Sequence, residues 1–146
     1  MKNIRHNVFE TNSSSSHSIS ISSNDPPEFD TIYPDKDGKI ILTGGEFGWE
    51  YENYFDSLTK ANYCAIDCNF FPNAEEMRQM LADVIKEHTG ASEVVFEIDT
   101  DWNSGNYGYI DHQSQGTSHD AFESKETLRR FIFDRNSVLT TDNDNH

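Results

Sequence analysis

The stretch NAEEMRQMLADVIKEHTGASEVVFEID, residues 73–99, decides the fold class. Met77, Met80, Leu81, Val84 and Ile85 recur at steps of three and four, which places them on one face of a helix. Asn73 stands at the cap position with Glu76 three residues on, a capping-box arrangement, and Gly90 supplies a left-handed exit. SEVVFEID then has the β-branched and aromatic content of a strand. A helix with a single apolar stripe feeding directly into a strand means that helices pack on a sheet.

Working outward, HSISISS alternates Ile19 and Ile21 with serines, the period of a strand with one buried face. NDPPEFDTIYPDKDG, rich in proline and turn formers, is a loop; KIILT is a short strand closed by Gly44 and Gly45. Over residues 47–64 the spacing of Phe47, Tyr51, Phe55 and Leu58 predicts a further helix. TDWNSGNYGYIDHQSQGTSHDAF is a long polar loop with a short strand at YGYI. Ser124 caps a helix carrying Leu128, Phe131 and Ile132, and SVLTT forms a last strand before DNDNH. The order β, β, α, α, β, (β), α, β predicts an α+β domain, with α/β as the alternative. One mixed sheet of four to five strands with two or three helices is expected, in a domain over residues 1–140 with a polar tail over 141–146.

Aromatic residues give this chain of 146 residues its core: ten Phe, six Tyr and two Trp offset a hydrophobic share of only 34%. Eleven Lys and Arg face 26 Asp and Glu, a net charge of −15. That excess repels a phosphate backbone, so unspecific nucleic-acid binding is not expected. It suits a partner with a basic surface. MKNIRHNVFE lacks the apolar core of a secretory signal and no apolar run reaches membrane-spanning length, so a cytoplasmic protein without membrane contact is expected. Cys64 and Cys68 make no disulfide framework and are expected as buried thiols.

Two polar segments carry the candidate chemistry. In FETNSSSSHSISISS, residues 9–23, hydroxyl and amide side chains build turns or hold an anion, and His17 titrates near neutrality. Val8 and Phe9 before the run and Ile19 and Ile21 after it would anchor the loop on a rigid scaffold. The second segment, GYIDHQSQGTSHD, holds Asp111, His112, Gln113, His119 and Asp120, residue types suited to proton transfer or ligation.

NVFETNSSSSHS and YGYIDHQS, with the FIF…NDN ending, resemble a group of small uncharacterised proteins of bacteriophages and their bacterial hosts. The resemblance implies a phage-type accessory protein acting in the host cytoplasm. It carries no catalytic residue across.

Several chemistries lack their signatures. There is no His-Glu-x-x-His, no Gly-x-Ser-x-Gly, no Gly-x-Gly-x-x-Gly and no Walker lysine. Asp99, Asp101 and Asn103 approach a calcium-loop pattern, but Ser104 takes the glycine position and Ile110 the twelfth. Neither a metal nor a cofactor is expected. The leading expectation is a pocket for a polar, nucleotide-like small molecule. Glu10, Asn12 and Gln113 would orient it, Ser14 and Ser15 would donate hydrogen bonds, and His17, Asp111 and His112 would complete the lining. The alternatives are an acidic protein that blocks a basic surface of a host factor, and a hydrolase using His17 or His112 with Asp111; no catalytic residue is assigned.

Overall fold

The computed structural model describes residues 16–48, 50–99, 103 and 107–142. The fold is α+β. Among the described residues seven short strands run as β1 (Ser18–Ser20), β2 (Lys39–Thr43), β3 (Gly45–Phe47), β4 (Glu52–Tyr54), β5 (Glu93–Glu97), β6 (Gly108–Ile110) and β7 (Val138–Thr141). The α-helices α1 (Ser57–Asp67), α2 (Ala74–Thr89) and α3 (Lys125–Phe133) lie among them. The strands divide into three small sheets, ordered β1-β7-β4, β2-β5 and β3-β6, rather than the single sheet expected. Strands of three to five residues, broken by Gly44 and by long polar loops, cannot keep one ladder going across the molecule. Strand β7 runs through Thr141, which is buried and pairs with Glu52.

Residues 73–99 fold as their pattern dictates. Leu81, Val84 and Ile85 are buried in α2, and Gly90 leaves it with φ +81°. The cap differs: the Asn73 amide donates to Glu76 Oε1 at 3.2 Å and caps no backbone N–H. Strand β5 pairs with β2 in parallel, Ile40 beside Val94 and Leu42 beside Phe96. A parallel pair needs a long crossover, and the chain between β2 and β5 supplies it with α1 and α2.

Residues 47–64 depart from expectation. Phe47 ends β3, β4 intervenes, and the helix begins only at Ser57, where the Asp56 carboxylate accepts from the Thr59 N–H at 2.9 Å. The four apolar residues at helical spacing are not one buried face: Phe47 is buried, whereas Tyr51, Phe55 and Leu58 are exposed. An N-cap inside the run overrides its periodicity.

Helix α1 is central, touching β2, β3, β6, α2 and α3. Its close approach to β6 depends on Gly108, where an added Cβ would lie 2.5 Å from Ile98 Cγ2 and 3.0 Å from Ile66 Cγ1. Helix α3 buries Leu128, Phe131, Ile132 and Phe133 against this core, each contributing about 2 kcal/mol. Its cap is as expected, Ser124 Oγ accepting from the Thr127 N–H at 3.1 Å. Among the described residues no helix is long and apolar enough to cross a membrane.

Candidate functional site

The inner face of α1 carries three polar side chains that organise the surrounding loops. Lys60 is fully buried, and its Nζ donates to the carbonyls of Asp134 at 3.0 Å and Ser137 at 2.8 Å. Burial pushes its pKa down to about 8, against a counter-pull from Asp134. Asp67, also fully buried, accepts from the Gly116 N–H (2.6 Å), the Ser118 N–H (2.9 Å) and Ser118 Oγ (2.6 Å). This carboxylate fixes the loop after β6, where Gly116 turns the chain with φ +96°. Between the two sits Tyr63, fully buried, its phenol pushed far above the ordinary range by desolvation.

The phenol of Tyr63 meets His17. The His17 ring is held at both nitrogens, Nδ1 at 2.8 Å from Tyr63 Oη and Nε2 at 2.7 Å from the Gly48 carbonyl. A carbonyl only accepts, so Nε2 carries the proton; in the neutral ring Nδ1 then accepts from the phenol. Desolvation lowers the His17 pKa, partly countered by the Gly48 bond and by Asp111 and Asp67. The ring is therefore mainly neutral at pH 7, with both nitrogens engaged inside the protein. The His17 backbone N–H donates to Ser114 Oγ at 3.2 Å, so the two polar segments, 97 residues apart, touch.

Asp111 follows β6 and is buried. Its Oδ1 accepts from the Tyr109 hydroxyl at 3.0 Å and its Oδ2 from the Gln113 N–H at 3.3 Å, the bonding of an Asx turn. Gln113 is exposed. Glu10, Asn12, Ser14, Ser15 and the side chain of His112 lie outside the described residues. His119 and Asp120 sit apart from this group, in a second cleft with Phe71, Met77 and Phe122. Cys64 and Cys68 are buried free thiols, as expected; burial raises Cys64 well above the ordinary thiol range and Cys68 to about 11. Among the described residues no three His, Cys, Asp or Glu side chains gather where they could hold a metal ion.

Beside His17 and Asp111, one step outward, lies a cleft of about 340 Å³ lined by Glu46, Phe47, Gly48, Glu50, Tyr54, Tyr109 and Thr141. Strand pairing builds it. Glu46 stands beside Tyr109 in the parallel β3-β6 register, and Tyr54 and Thr141 come from the neighbouring β4 and β7. The Phe47 and Tyr54 rings meet edge to face with centroids 5.7 Å apart. Desolvation raises both phenols; Glu52 and Glu50 add to the effect at Tyr54, and Asp111 and Glu46 at Tyr109. No cationic side chain lines this cleft among the described residues. Aromatic rings beside carboxylates are the chemistry by which an organic cation, such as a lysine ammonium or an arginine guanidinium, is recognised.

No sequence motif announces this cleft. Its lining residues come from four strands and the segment after β3, and strand pairing brings them together. Comparison of the chain with protein-family models, with curated proteins and with solved structures finds no match.

Proposed function

We propose that the chain is an acidic interaction protein that engages a basic surface of another protein, with the Glu46–Glu50 cleft as its point of contact. The cleft carries this reading: it joins two carboxylates to three aromatic rings without a cation among its described lining. The net charge of −15 supports it by drawing a basic partner from a distance. The resemblance to phage-encoded proteins implies that the partner is a host factor in the host cytoplasm.

A pocket for a polar small molecule is the second reading, favoured by the hydrogen bond from the His17 N–H to Ser114 Oγ that joins the two polar segments. It ranks lower because the His17 ring and the Asp111 carboxylate already have protein partners.

Calorimetric titration with an oligo-arginine peptide tests the first reading. Binding is expected at 0.1 M salt and should be lost near 1 M, as the screening length falls from about 10 Å to about 3 Å. Glu46→Gln with Glu50→Gln removes two partly exposed ion pairs worth up to about 1 kcal/mol each, so affinity should fall about tenfold. Absence of binding at low salt, or binding unaffected by the double substitution, refutes it.

A further inference from the structure

Strand β4 lies at the edge of the β1-β7-β4 sheet, with no strand on its outer side among the described residues. Natural edges are blunted by lysine, proline or a covering element. This edge has Glu52, Asn53 and Tyr54, followed by Phe55 and Asp56, and β4 itself contains neither lysine nor proline. Its two faces differ. On one, Tyr54 and the neighbouring Glu50 line the acidic cleft, and Glu52 follows the same alternation. On the other, Asn53 meets Thr140 across the ladder and its amide donates to the Tyr51 hydroxyl at 3.2 Å. Tyr51 and Phe55, which flank the strand, are 58% and 50% exposed, and Leu58 just beyond is 43% exposed. Exposed aromatic side chains gathered beside an open edge mark an interaction surface.

We infer that β4 is a docking edge for an extended basic segment of a partner protein, which adds a strand outside β4. The inference rests on the proposed function and names the form the partner takes. A strand points alternate side chains to opposite faces, so the edge selects a segment alternating cationic and apolar residues. The cations fall beside Glu50, Glu52 and Tyr54; the apolar residues fall beside Tyr51 and Phe55. Charge complementarity fixes the occupant, because Glu50, Glu52 and Asp56 lie close enough to act on Tyr54 and Glu46 lines the same cleft.

The test titrates the intact protein with the capped hexapeptide Arg-Val-Arg-Val-Arg-Val, and with the same peptide methylated at every amide nitrogen. Methylation keeps charge and side chains but removes the N–H groups a ladder needs. The expected results are at least about tenfold weaker binding of the methylated peptide, and slowed amide exchange at residues 52–54 with the unmethylated one. Equal binding of both peptides overturns strand addition while leaving a basic partner in place. Binding of neither overturns both readings. Protection confined to another edge, or a dimer of the free protein in sedimentation that protects residues 52–54, overturns the assignment of this occupant to this edge.

Discussion

Replacing Lys60 by methionine probes the strongest electrostatic feature of the core. In the folded protein its ammonium is fully buried, donates to the Asp134 and Ser137 carbonyls, and has a pKa lowered from 10.5 to about 8. Between these values the unfolded chain holds more proton at this site than the folded one. The folded state therefore gains stability as pH rises from about 8 to 10.5, and loses that gain as pH falls back. At ~1.4 kcal/mol per unit the gain reaches at most ~3 kcal/mol. Cys64, Cys68 and Tyr63 act in the opposite sense, since their raised pKa values keep protons in the folded state that the unfolded chain releases. The informative quantity is thus the difference between wild type and Lys60→Met. At neutral pH the variant should be less stable by ~3 kcal/mol, because two carbonyls lose their donor and Asp134 Oδ2, which has no hydrogen-bond partner among the described residues, loses its nearby cation. Urea melts across the alkaline range should show that difference widening by up to ~3 kcal/mol. A difference that stays flat or narrows refutes the argument.

Two further outcomes follow from the geometry. Gly108→Ala forces a methyl group against the branched side chains of Ile98 and Ile66, so thermal unfolding should show a loss of about 1–3 kcal/mol, whereas Gly48→Ala, with open space around its Cβ, should be near neutral. Because desolvation lowers the His17 pKa, the stability associated with its neutral ring is present above about pH 6.5 and declines as pH falls through the lower folded value; His17→Gln should flatten that acid limb in denaturant melts, and an unchanged acid limb would show that the ring is not buried as described.

Residues 73–99 were legible because one stripe and one strand pattern each satisfied a single burial requirement. The same holds for KIILT and for the Ser124 helix, whose cap and apolar spacing agree. Residues 47–64 were misleading: their spacing mimicked a helix face, yet three of the four apolar residues face solvent, and a local cap at Asp56 sets the helix start. Helix α1 was harder still, because Lys60 and Asp67 look like surface residues until their partners arrive from residues 134–137 and 116–118. Those partners lie 49 to 77 positions away, so no window along the chain contains both halves of the interaction. The meeting of His17 with Ser114 was foreseeable only as a juxtaposition of polar segments, and the acidic cleft not even as that, since strand pairing alone brings Glu46 beside Tyr109.

Asp67 grips the loop after β6 chiefly by main-chain N–H groups, at Gly116 and Ser118. A loop tethered by its backbone is indifferent to most of the side chains it displays. Solvent-facing positions such as Gln113 can therefore be diversified in a library while the anchor stays the same, which makes this turn a natural place to graft new recognition onto the scaffold.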